Sequence, residues 1–258
     1  MAYFLTADGG TESIRARVYD LSGTCLASTA VPYETKFSSG ARAEQNPEDW
    51  WSSFVQAARK AISESAIDPT AIEAITLATT SCTVVALDGE GNPLRPSIIW
   101  MDVRASAEAE AVLATGDDAL LANGGGRGPV SAEWMIPKSL WMAENQPDLF
   151  ERADYICDCQ DYINFHLTGR MVANITSAST RWPHSGSGTP TTTEARTRPR
   201  SMRERSIARS TSWGRTLRPP VLITSSARPS TVSAPSSPIS ARSEVRKARS
   251  APPSAWCR

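Results

Sequence analysis

The sequence predicts an α/β domain followed by a basic segment with no structural period. Three observations carry that prediction. The chain opens on two short apolar runs joined by the glycine pair Gly9-Gly10. A helix-start signal follows at Asn46-Pro47-Glu48-Asp49, and an apolar run over 72–78 reads as a buried strand.

Taken in order, the first run covers 3–5 and the second 14–21, where Arg15 and Arg17 alternate with Ile14, Ala16 and Val18. That alternation is a half-buried strand, and the glycines make the pair a hairpin. The turn carries Asp8, Thr11 and Ser13. Glycines let a backbone approach a phosphate closely, loop N–H groups bond anionic oxygens, and a nearby aspartate holds Mg²⁺. An ordinary polar hairpin has the same local pattern. A third strand over 25–31 completes an antiparallel opening.

Asn46 suits an N-cap, Pro47 the first helical position, and Glu48 and Asp49 the positive end of the helix dipole. Trp51, Phe54, Val55, Ala58 and Ile62 recur at helical spacing and are expected to face the sheet. The next strands are expected over 83–87 and 97–100. Thr79-Thr80-Ser81-Cys82 lies at a strand end, where open α/β sheets tend to bind ligands. An Ala/Glu-rich helix over 105–113 and a glycine-rich loop over 123–128 follow. Ser131 is the expected N-cap of a helix that carries Trp134, Lys138, Trp141 and Met142 on one face. A short helix begins at Pro147, and another over 159–167 stops at Thr168-Gly169.

Charge divides the chain. Residues 1–182 hold 13 Lys and Arg against 24 Asp and Glu, while residues 183–258 hold 14 against 3, although the whole is formally neutral. The later segment has no Asp, Phe or Tyr and 13 Arg among many Ser, Thr and Pro. Such a composition does not bury enough apolar surface to offset chain entropy, so a disordered tail is expected. The five cysteines form no disulfide or zinc pattern, no apolar run has the length of a membrane span, and no secretory signal opens the chain. A cytoplasmic protein with reduced thiols is expected.

Six motifs in order resemble the FGGY carbohydrate kinases, with the ribulokinase branch nearest, over residues 3–182. Asp8-x-Gly10-Thr11-x-Ser13-x-Arg15 resembles the family's phosphate and metal loop, and Asn46-Pro47-Glu48-Asp49-Trp50-Trp51 its first helix. Thr80-Ser81-Cys82-Thr83 resembles the T-x-C-[ST] segment that lines the sugar pocket, and Trp100-Met101-Asp102-Val103-Arg104-Ala105 the W-x-D-x-R-A motif. Ser131-x-Glu133-Trp134-x-x-Pro137-Lys138 and Gln160-Asp161-Tyr162 with Leu167-Thr168-Gly169 complete the set.

The resemblance implies a ribonuclease-H-like first lobe with a mixed sheet flanked by helices, the second lobe missing, and ATP-dependent phosphorylation of a pentulose or polyol. It implies phosphate or ATP contacts from Asp8, Gly10, Thr11, Ser13 and Arg15, Mg²⁺ held at Asp8, and sugar contacts from Ser81, Cys82, Glu133 and Lys138. Cys82 also reads as a small core residue, Asp102 with Arg104 as a structural pair, and Trp100, Trp134 and Trp141 as core. A homodimer fits the family.

The family's catalytic aspartate lies in a later G-x-x-D segment, and no aspartate follows Asp161 here. No catalytic base is therefore assigned. The change of character after Trp182 reads as a truncated or frame-shifted coding sequence, giving a domain over 1–182 and a tail over 183–258. An inactive chain is then expected, with apolar surface such as that of the helix over 134–142 left uncovered. Sugar binding without catalysis, or nucleic-acid binding through the arginine-rich tail, are the alternatives.

Overall fold

The computed structural model describes residues 1–116, 120 and 130–173. The glycine-rich loop expected over 123–128 and the tail over 183–258 lie outside the described residues.

The expected opening is present. Strands β1 (Tyr3–Gly9), β2 (Ser13–Asp20) and β3 (Cys25–Pro32) form an antiparallel meander, with Asp8 opposite Arg15 and Gly9 opposite Ile14. Alternation places Leu5, Ala7, Ile14, Ala16 and Val18 in the core, and Asp8 and Arg15 outside it. Two more short strands, β4 (Lys36–Ser38) and β5 (Arg42–Gln45), follow as a second hairpin.

Helix α1 (Pro47–Ser65) packs across β2 and β3. The Asn46 side chain caps it by accepting from the Glu48 N–H. Its buried face is Trp50, Phe54, Ala57, Ala58 and Ala61, one residue round from the expected stripe. The alanines bring the helix axis close to the sheet. Trp51, Val55 and Ile62 are left half-buried at the rim, where Trp51 stacks on His166 at 4.9 Å.

Strand β6 (Ile72–Thr79) runs parallel to β1 at the edge of the sheet, whose order is β3-β2-β1-β6. Mixed parallel and antiparallel pairing confirms the α/β class. The expected burial is not found: Leu77 is the only buried residue of β6, and Ile75 is 48% exposed. An apolar run reports strand propensity, whereas burial needs a cover that the run itself does not encode.

Strand β7 (Val85–Leu87) pairs with β9 (Tyr155–Cys157) in a separate ribbon, and β8 (Ser97–Ile98) pairs with β5. Helices α2 (Ser106–Ala114), α3 (Met135–Asn145), α4 (Pro147–Arg152) and α5 (Cys159–Thr168) surround them. The helix face expected to be open is closed, because Met135, Ile136, Trp141 and Met142 are buried against Val84, Ala86 and Ile98.

Ser131 does not cap α3. It forms a turn in which its Oγ accepts from the Glu133 N–H and its carbonyl from the Trp134 N–H, and the helix begins at Met135. Pro137 falls in the first turn, where a missing N–H costs little. Asp158 and Asp161 form a reciprocal capping box on α5, which ends at Gly169 in the left-handed conformation (φ 67°).

Candidate active site

The backbone of the loop between β1 and β2 is anchored mainly through its carbonyls. Gly9 O accepts from Thr80 N at 2.9 Å, Glu12 O from Tyr33 N at 3.0 Å, and Ser13 O from Gly10 N at 2.9 Å. The Tyr33 hydroxyl donates to Gly10 O, and Gln45 Nε2 donates to Thr11 O at 2.5 Å. Every peptide here is trans, so each carbonyl and the N–H of the following residue point in opposite directions. Drawing Gly10 O and Thr11 O inward therefore sends the Thr11 and Glu12 N–H groups outward. Neither N–H has a partner among the described residues. Two adjacent N–H groups left without an internal partner are donors that an anionic oxygen can use.

Trp100 Nε1 donates to Thr11 Oγ1 at 3.1 Å, which brings the W-x-D-x-R-A motif to this loop. Trp100 is 37% exposed rather than core, since β8 ends two residues earlier. Trp141 is buried in the core and Trp134 is half-buried against the same core cluster, so of the three tryptophans Trp100 alone departs from the expectation. Gly9 has its own steric reason: a Cβ there would sit 3.1 Å from Thr79 Cγ2 on the neighbouring strand.

The Thr80–Ser81–Cys82 segment leaves the same end of the sheet, with Cys82 in the left-handed region (φ 67°). Lys138 reaches it from α3. Its ammonium is wholly buried and donates to Cys82 O at 2.9 Å and Ile99 O at 2.6 Å. Burial pushes its pKa down to about 8, against the pull of Cys82, Asp102, Glu133 and Asp158.

Asp102 is also buried, and it accepts from Arg104 Nε, Arg104 NH2 and Ala43 N at 2.9, 2.6 and 2.7 Å. Burial alone would raise this carboxyl; the hydrogen bonds from Arg104 and Ala43 outweigh it and hold the group low. Asp102 and Arg104 are thus a structural pair. Arg104 lies 4.8 Å over the Trp141 ring and shares Glu44 with Arg95.

Residues 3–182 match the N-terminal domain of the FGGY family of carbohydrate kinases. The chain belongs to that family. A ribulokinase of Geobacillus thermodenitrificans is 30% identical over 202 residues, covering 68% of this chain and 35% of its own. A xylulose kinase of Bacillus subtilis is 28% identical over 169 residues, covering 66% and 34%. Among solved structures, a xylulose kinase from Rhodospirillum rubrum superposes with a TM-score of 0.63 at 27% identity, covering 70% of this chain and 37% of that one. The chain therefore spans little more than a third of the length of these relatives.

In this FGGY lobe Asp8, Gly10, Thr11 and Ser13 come together around the hairpin loop, while Arg15 projects outward from β2 opposite Asp8. Ser81 and Cys82 adjoin them through the Thr80 to Gly9 bond, and Lys138 sits behind Cys82. Glu133 lies half-buried in the turn before α3. Asp8 is exposed, and the described residues contain no cluster of three or more His, Cys, Asp or Glu. A lone exposed carboxylate beside outward N–H groups fits Mg²⁺, which keeps its waters and takes phosphate oxygens, better than a metal needing a protein cage. Sequence reasoning missed Tyr33 and Gln45, whose bonds to the loop cross 23 and 34 residues and leave no local signal.

Proposed function

We propose that this chain is the sugar- and phosphate-binding lobe of a kinase that moves the γ-phosphoryl of ATP onto a hydroxyl of a pentulose such as ribulose or xylulose. The observation that carries this reading is the pair of N–H groups at Thr11 and Glu12 without a partner among the described residues, in the loop that follows Asp8 and is tied to Thr80 through Gly9 O. Donors fixed before the substrate arrives stabilise charge on a transferring phosphoryl without reorganising. The ribulokinase and xylulose kinase names of the relatives support a pentulose.

In this reading the Thr11 and Glu12 N–H groups bind phosphoryl oxygens, and Asp8 holds Mg²⁺ through water. The bound metal would supply charge neutralisation at the phosphates. Gly10 keeps the loop slim, and Ser13 and Arg15 flank it. Ser81 and the Cys82 backbone line the sugar, with Glu133 and Lys138 supporting that wall. Two of the three Lys138 donors go to Cys82 O and Ile99 O, so its main action is through the backbone it holds. A sugar hydroxyl must also lose its proton, and no aspartate follows Asp161 in the chain. We therefore infer that the 258-residue chain by itself binds sugar and does not turn over ATP.

Thermal melting with a panel of ribulose, xylulose, a hexose and glycerol tests the assignment. A ligand that binds the native state raises the midpoint by mass action. The expected result is a saturable rise with a pentulose, and no sugar phosphate by mass spectrometry when MgATP is added. Equal midpoints with every sugar would remove the sugar-binding reading. Sugar phosphate made by the chain alone would remove the non-catalytic one.

A further inference from the structure

Two side chains outside every motif discussed above make the closest hydrogen bonds to the loop carbonyls, Tyr33 to Gly10 O and Gln45 to Thr11 O. The Tyr33 hydroxyl also lies 3.3 Å from Ser13 O, and Thr35 Oγ1, itself an acceptor from Gln45, donates to Thr11 O at 3.4 Å. Gln45 is buried, and its amide is fully committed. The Trp50 indole Nε1–H donates to Gln45 Oε1 at 2.9 Å, while Gln45 Nε2 donates to Thr11 O at 2.5 Å and Thr35 Oγ1 at 2.7 Å. An indole N–H is a donor only, so it fixes which end of the amide is oxygen. The nitrogen is thereby directed at the loop. Tyr33 does the same one peptide earlier, its hydroxyl donating to Gly10 O while its own N–H donates to Glu12 O. Burial, and then the neighbouring Cys159 and Asp8, push the Tyr33 phenol above its ordinary range, so it keeps the proton it donates.

From this we infer that Tyr33 and Gln45 are positioning residues that aim two separate anion-binding N–H groups. In a trans peptide the carbonyl and the next N–H are rigidly opposed. Tyr33, by seizing Gly10 O, sets the direction of the Thr11 N–H. Gln45, by seizing Thr11 O, sets that of the Glu12 N–H. Trp50 stands behind Gln45 as the group that prevents the amide from flipping. Neither Tyr33 nor Gln45 touches the ligand, and each acts on a different donor. This inference rests on the reading of the loop as a phosphate site.

The test is a titration of the full chain with inorganic phosphate, followed by its backbone amide resonances, for the native sequence, Tyr33→Phe and Gln45→Glu. Gln45→Glu is nearly isosteric and still accepts from Trp50, but it turns a carboxylate oxygen toward Thr11 O. In the native chain the Thr11 and Glu12 amides are expected to shift together with saturation. Gln45→Glu should weaken binding roughly tenfold or more and abolish the Glu12 shift first, because a hydrogen bond to a charged group is lost. Tyr33→Phe should weaken it roughly threefold to tenfold and affect Thr11 first. A merely structural role would lower both shifts equally in both variants, and that result overturns the inference. Unchanged phosphate affinity in both variants overturns it as well, with the phosphate site intact. No shift at Thr11 or Glu12 in the native chain removes the phosphate reading itself, and the inference with it. The two variants act on separate peptides, so the inference stays testable on either one if the other does not fold.

Discussion

The two walls of the candidate site are held by opposite means. The proposed phosphate loop is fixed by hydrogen bonds from uncharged groups: the Tyr33 hydroxyl, the Gln45 amide, the Trp100 indole and the Thr80 N–H. The proposed sugar wall is fixed by buried charge: the Lys138 ammonium on Cys82 O and Ile99 O, with the Asp102–Arg104 pair beside it. In the proposed reading, neutral donors at the anion site leave the local potential to the ligand and its metal. At the proposed sugar wall, a buried ion held by the backbone gives rigidity at the cost of desolvation. The wall held by charge should therefore respond to pH and lose most on substitution, and the loop wall should do neither.

The largest effect is expected at Asp102→Asn, which leaves Arg104 buried with only Glu44 as a charged partner. A loss of about 3 kcal/mol is expected in urea unfolding, as for other broken buried pairs. A loss below that of a surface pair would break the contrast between the walls.

Next comes Lys138→Met. The folded Lys138 pKa of about 8 lies below the ordinary 10.5, so between these values the unfolded chain binds more protons. Stability then rises with pH across that window as the penalty on the buried cation is relieved. Cys157 and Cys159, whose thiols burial pushes well up, work in the opposite direction, so the difference between native and variant chains is the readout. The native chain is expected to gain on the variant as pH climbs from about 8 toward 10.5. A parallel pair of curves would place the pH response elsewhere.

A smaller effect is expected for Trp100→Phe, which removes the donor to Thr11 Oγ1. Phosphate affinity should fall about threefold, with stability changed by under about 1 kcal/mol. Smallest for binding is Asn46→Ala, which costs about 1 kcal/mol by loss of the helix cap and should leave phosphate and sugar affinity unchanged. A change in affinity there would show that α1 reports on the site as a whole.

Much of this was legible from the sequence where the signal is local. The three-strand meander follows from alternation around Gly9-Gly10, the start of α1 from Asn46-Pro47-Glu48, and the end of α5 from Gly169. Signals failed where the answer depends on a partner distant in the chain. Strands β4, β5 and β9 are too short to show a period, and β5 exists because β4 and β8 pair with it. The run over 72–78 revealed a strand but not that it would be an exposed edge. Trp51 looked like core because periodicity does not show that the smaller Ala57 and Ala61 permit a closer approach one residue round. At the site, the motif residues were readable as types, whereas Tyr33 and Gln45 act across long sequence separations.

The loop and the Thr80–Cys82 segment are two halves of one proposed site, joined through the Thr80 to Gly9 bond and through Ile99 and Trp100. A pentulose titration of the chain followed by its backbone amide resonances tests this most directly. Gly10, Thr11, Thr80, Ser81 and Cys82 are expected to shift together and saturate with a single dissociation constant. Shifts confined to residues away from both segments, in a chain that remains folded, would contradict it.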